Sequence, residues 1–121
     1  MPRLIRHPSK IKLAGNKTKI IKEYIGRVNS KTATLSLALM HSPVGWEEPG
    51  QRPKFSEYTL VLKGRLQIES KKGFMVVGAG QAVIVRKGEW VRYRTPYSGG
   101  ADYVAVCLPA FSLSKAHRDS T

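Results

Sequence analysis

Glu57-Tyr58-Thr59-Leu60-Val61-Leu62-Lys63, then Gly64, then Arg65-Leu66-Gln67-Ile68-Glu69-Ser70 is the stretch that decides the fold. Leu60, Leu62, Leu66 and Ile68 recur at the two-residue period of a strand, and Gly64 supplies a turn signal between the halves. This predicts strands over 57–63 and 65–70. The same alternation runs through Thr34-Leu35-Ser36-Leu37-Ala38-Leu39-Met40, where three leucines share one face. Working outward, strands are predicted over 19–25, 33–40, 73–77, 82–86, 90–94 and 102–108. Turn residues separate them at Lys71-Lys72-Gly73, Gly78-Ala79-Gly80, Lys87-Gly88-Glu89 and Ser98-Gly99-Gly100. No segment keeps a helical period over three turns. The tail 112–121 reads as one helical turn or a frayed end. Eight short strands in 121 residues predict an all-β protein with closed or double-sheet architecture, because closure removes exposed edges.

Length and composition narrow the function classes. A chain of 121 residues with 41% hydrophobic and 24% charged residues fits one soluble domain. The reading divides it into a basic arm over 1–18, a barrel over 19–111 and a tail over 112–121. No apolar run is long enough to span a membrane. The first twelve residues alternate basic and apolar side chains, unlike a secretory leader. The single Cys107 excludes an internal disulfide and a multi-cysteine zinc site. A cytoplasmic protein is expected. The net charge of +13 is concentrated early: residues 1–31 hold nine basic side chains and one acid. Such an arm can hold nucleic-acid phosphates by counterion release, or simply keep the surface solvated. No helix-turn-helix, zinc finger or aromatic-rich RNA-binding sheet accompanies it.

The stretch 41–55 breaks the strand rhythm with Pro43, Pro49 and Pro53, two glycines, Trp46 and the pair Glu47-Glu48. It reads as a loop or an irregular edge, and a long loop in a small β domain is often functional. At this point the chain resembles the cupin superfamily. Glu57 and Gly64 match the second half of its first motif. Gly80-Gln81-Ala82-Val83-Ile84-Val85-Arg86-Lys87-Gly88-Glu89-Trp90-Val91-Arg92-Tyr93-Arg94-Thr95 has the spacing of its second. The likeness covers roughly 35–108. The ending Cys107-Leu108-Pro109-Ala110-Phe111 looks like the small cupins related to the ethanolamine-utilisation Q type. The resemblance implies a six- to eight-stranded jelly-roll barrel that forms a homodimer, with strand 19–25 offering an edge to a partner. It also implies that the metal positions of cupins fall at Gln51, Pro53, Glu57 and Val91. Pro53 and Val91 cannot ligate, and one carboxylate with one amide does not hold a transition metal tightly.

Candidate residues follow from that placement. Glu57 is the candidate catalytic residue, and inside an apolar barrel its pKa would rise. Parity puts Val91, Tyr93 and Thr95 beside it and turns Arg92 and Arg94 outward. The proposed ligand-binding set is Glu57, Gln51, Trp46, Glu48, Tyr93 and His41. A rearranged divalent-metal shell would draw on Glu57, His41 and Gln51, joined by Glu48. Cys107 shares parity with Tyr103 and Ala105 and reads as an inert thiol. His7 and His117 read as exposed. Ser112, Ser114 and His117 lack an acidic orienter for a serine triad. Three functions remain open: a binder of a small polar or anionic metabolite, a metal-dependent enzyme of oxygenase or isomerase type, and a regulatory protein that touches nucleic acid through its arm.

Overall fold

The computed structural model describes residues 1–13 and 15–119. It contains nine strands: β1 (Ser9–Ile11), β2 (Ile20–Ile25), β3 (Ser36–Ser42), β4 (Trp46–Glu47), β5 (Ser56–Ser70), β6 (Gly73–Gly78), β7 (Ala82–Val85), β8 (Val91–Thr95) and β9 (Ala101–Leu108), followed by the one-turn helix α1 (Leu113–Ala116). Every pairing is antiparallel. One sheet runs β1-β2-β3-β9-β5-β7, the other β4-β8-β5-β6. Between them lies a core of Trp46, Val61, Leu66, Ile68, Val85, Val91 and Tyr103 with their neighbours. A smaller cluster joins Phe55, Cys107 and Ala116, with Phe111 edge-on to Phe55 at 5.6 Å between centroids. The all-β expectation holds, and the tail does form its single helical turn, capped by the Ser112 side chain. Ser120 and Thr121, at the end of the tail, and Ala14, in the basic arm, lie outside the described residues.

The two strands expected around Gly64 are one. β5 begins in the first sheet, paired with β7 and β9, and ends in the second, paired with β6 and β8. A bulge between Val61 and Lys63 and the positive φ of Gly64 (79°) make the passage. A Cβ at Gly64 would collide with the carbonyl oxygen of Gly100, so the bend needs glycine. The bulge also breaks the alternation. Glu57, Thr59 and Val61 point inward, Leu62 and Lys63 both point out, and Leu66 and Ile68 point in again.

Alternation holds on β3 with a consequence for its leucines. Ser36, Ala38 and Ser42 are buried, while Leu37 and Leu39 lie half-buried on the outer face. The barrel wall there is lined by small residues, which leaves room inside. The edge of β2 is not open to a partner, contrary to expectation: β1 pairs with it from Ser9↔Glu23 to Ile11↔Ile21.

Candidate functional site

Eight polar side chains line one internal cavity of about 40 Å³, among them Glu23 of β2 and Ser36 of β3. Lys19 precedes β2, Glu48 and Gln51 follow β4, Glu57 lies on β5, Tyr93 on β8, and Arg118 follows α1. Strand parity delivers Glu57 and Tyr93, whose hydroxyl donates to Glu57 Oε1 at 3.0 Å. Gln51 is fixed because its segment is stitched to β8, with Gln51 N donating to Val91 O at 2.9 Å and Val91 N returning to Gln51 O at 3.0 Å. Arg118 arrives by a second stitching. Arg52 N, Lys54 N and Asp119 N tie the 50–54 segment to the tail, and Trp90 Nε1 donates to Asp119 Oδ2 at 2.9 Å. The guanidinium of Arg118 then meets Glu48 at 3.0 Å, with both side chains nearly enclosed. Lys19 Nζ stands 4.5 Å from the Trp46 ring centroid and 5.3 Å from that of Tyr103. Tyr103 in turn shares a 2.8 Å hydrogen bond with Ser42.

The carboxylates feel burial first. It pushes the Glu57 pKa up to about 7; Glu48 adds to that, while Lys19, Tyr93 and Arg118 pull against it. Glu48 is also raised by burial, against Lys19 and Arg118. Burial opposes the Lys19 charge, but the Tyr103 oxygen and the two carboxylates outweigh it and the net direction is up, so Lys19 stays an ammonium. Burial raises the Cys107 thiol far out of the reactive range, in keeping with an inert side chain. The interior therefore holds two cations and three carboxyls, of which Glu57 is half protonated near pH 7. Gln51 Oε1, buried against the cavity, has no hydrogen-bond partner among the described residues.

No family profile matches the chain. Over 102 residues it is 39% identical to a curated protein named Endoribonuclease YbeY from Myxococcus xanthus; the match takes 84% of this chain and 35% of that one. The chain thus spans about a third of the length of that relative. Among solved structures, it is similar to an RmlC-like cupin from Shewanella frigidimarina (TM-score 0.69, 14% identity, 85% of each chain covered). It is also similar to ethanolamine utilization protein Q from Salmonella typhimurium (TM-score 0.65, 15% identity, 86% of this chain and 97% of that one). The chain has the cupin fold.

In this barrel the donor set does not suit a divalent metal. Pro53 and Val91 carry no donor, Gln51 offers a neutral amide, and among the described residues no three His, Cys, Asp or Glu side chains gather to hold an ion. A buried ammonium and a buried guanidinium share the cavity with Glu23, Glu48 and Glu57, and their charge opposes a further cation there.

The structure places the expected residues unequally. Glu57, Gln51, Glu48 and Tyr93 do meet around the cavity. Trp46 is 1% exposed and belongs to the core, reaching the site as the ring beneath Lys19. His41 does not enter the barrel. It follows Leu37 and Leu39 onto the outer face, where Nδ1 lies 2.5 Å from Asp102 Oδ1. Arg92 and Arg94 point outward to Glu69 and Glu47, as parity predicts. Lys19 and Arg118 are the residues sequence reasoning missed. Lys19 shares the inward parity of Ile21 and Glu23, a signal hidden by the basic run around it. Arg118 gave no signal in sequence, because its position depends on how the tail folds back.

Proposed function

We propose that the barrel interior binds a small polar anion without a metal, with Lys19 and Arg118 facing its charge. The observation that carries this is the pair of buried cations around a cavity where Gln51 Oε1 has no partner. Stability alone is a poor reason to keep such a cluster. Each buried ion costs several kcal/mol of desolvation, and apolar replacement of a buried ion pair is often neutral or stabilising. Perturbed carboxyls in a cavity are instead a common mark of function. Of the carboxyls around the two cations, Glu57 is half protonated near neutral pH and Glu23 already accepts from Val28 N and Asn29 N, which leaves Lys19 and Arg118 to meet an added anion. Gln51 Oε1 accepts only, so the ligand carries a donor as well as its charge, and a small hydroxycarboxylate meets both demands. The cavity holds little more than one or two waters as it stands. Binding therefore requires Arg118 to shift from Glu48. Calorimetric titration with glycolate and related hydroxy acids tests this. Binding should weaken at least about tenfold in Lys19→Met and persist above neutral pH in Glu57→Gln, which keeps the carboxyl's neutral form; absence of binding across the series contradicts it.

A second reading has one observation in its favour. The +13 charge and the similarity to a protein named an endoribonuclease point to contact with RNA. In either case a homodimer is the expected assembly, joined through the outer face of the first sheet. Ile84, Tyr58, Val106 and Leu37 form one cross-strand row there, with Leu60 and Val104 in the next. Tyr58, Leu60 and Ile84 are each more than 40% exposed, and exposed apolar side chains in adjoining rows suit an interface. Among the described residues no helix is long and apolar enough to cross a membrane; a cytoplasmic location fits the reduced Cys107.

A further inference from the structure

On the outer face of the first sheet, away from the interior cavity, His41, Asp102 and three lysines surround a groove of about 500 Å³. Its floor is set by register. Ile20, His41, Asp102 and Lys63 are successive neighbours across β2, β3, β9 and β5. The adjacent row reads Lys10, Lys22, Leu39, Val104 and Leu60. Lys63 reaches this face through the β5 bulge: an unbroken strand with Val61 inward would point residue 63 into the core, whereas the extra residue turns both Leu62 and Lys63 outward. Asp102 is the one acid of the groove, and His41 Nδ1 takes one of its oxygens. Among the described residues none of Lys10, Lys22 and Lys63 is in an ion pair within 4.0 Å.

We propose that this groove is a phosphodiester site for single-stranded RNA, with Lys10, Lys22 and Lys63 on the phosphates and His41 Nε2 as a positioned hydrogen-bonding group. Three unpaired ammonium groups around one concavity create a local anion site, where the same charges spread over a convex surface would be solvated. Asp102 fixes the imidazole through Nδ1, which leaves Nε2 for the groove. The apolar floor at Ile20, Leu39 and Leu62 gives a base a surface to lie on, and the volume suits one nucleotide unit. The groove takes Leu39 from the row of Val104 and Leu60, and leaves out the row of Tyr58 and Val106. The inference rests on the RNA reading for its ligand and differs from it in location, because it assigns the contact to the sheet and not to the N-terminal arm.

Fluorescence anisotropy with a labelled 12-nucleotide single-stranded RNA tests it, at salt from about 50 to 200 mM. Three proteins are compared: the unaltered chain, Lys22→Ala/Lys63→Ala, and the charge-matched arm variant Arg3→Ala/Arg6→Ala. The groove variant should lose at least about tenfold in affinity, and its log–log salt slope should shrink by about 1.4 for two lost contacts to a single strand. The arm variant should lose less than about threefold. His41→Gln should weaken binding with the salt slope unchanged. Equal losses in the groove and arm variants, or a larger loss in the arm, would overturn the groove and leave the RNA reading standing. Absence of RNA binding at 50 mM salt would overturn both. Full displacement of the strand by millimolar inorganic phosphate would overturn the strand in favour of a free-phosphate site.

Discussion

At neutral pH the Glu57 carboxyl sits near its own midpoint, since burial, reinforced by Glu48, carries it to about 7 against the pull of Lys19, Tyr93 and Arg118. An unfolded chain ionises this group near 4.5. Between these values the folded state holds more protons, so stability falls as pH rises across the window and is fully retained below it. The ceiling on that loss is roughly 3 kcal/mol. Glu57→Gln should flatten the decline between pH 5 and 7.5 in urea unfolding, leaving a residual slope of the same sign from Glu48, which burial also raises. An unchanged slope would show that Glu57 is not the group responsible. Lys19→Met should move the Glu57 midpoint upward, because Lys19 is its largest stabilising charge. Glu57 and Tyr93 were legible in the sequence because strand parity is rigid. His41 was drawn toward the site by its chemistry, although the parity that carries Leu37 and Leu39 outward carries it too. Lys19 obeyed the same rule but was counted with its basic neighbours.

At the scale of elements, β5 and the tail decide whether the site exists. The turn signal at Gly64 was visible, yet it marks a bend within one strand, because hydrogen-bond partners on both sides keep the chain extended through it. The bulge beside it left no trace in composition. Gly64→Ala should cost about 2 kcal/mol or more, from the left-handed φ and the collision with Gly100. Thermal unfolding should then shift down by roughly 8 °C or more; a shift under about 2 °C would mean the bend tolerates a side chain. In the tail, Arg118→Ala strips Glu48 of its 3.0 Å partner inside the barrel. The expected loss is about 2 kcal/mol at pH 7, since Lys19 still faces Glu48. It should be smaller at pH 5, where Glu48 can take up a proton. Chemical denaturation at the two pH values reads the difference, and an equal loss at both would mean that packing, not charge, holds the tail.

Across the whole molecule, the cupin barrel keeps its shape with charged side chains where a metal shell would otherwise stand. The fold was largely legible, because turn residues and two-residue periods repeat along the chain. The interior charge balance was not, because it joins Lys19 near one end to Arg118 near the other. Light scattering should give twice the mass of one chain, and Leu60→Lys/Ile84→Lys should halve it without unfolding the barrel; a monomer in the unaltered protein would remove the apolar face as an interface. The most direct measurement is a carbon-13 NMR titration of the Glu57 carboxyl, alone and with saturating glycolate. A midpoint near 7 that rises when glycolate occupies the cavity is the predicted result, since an added anion disfavours a second negative charge. A midpoint near 4.5, or one that glycolate leaves in place, would contradict an anion-binding, metal-free interior.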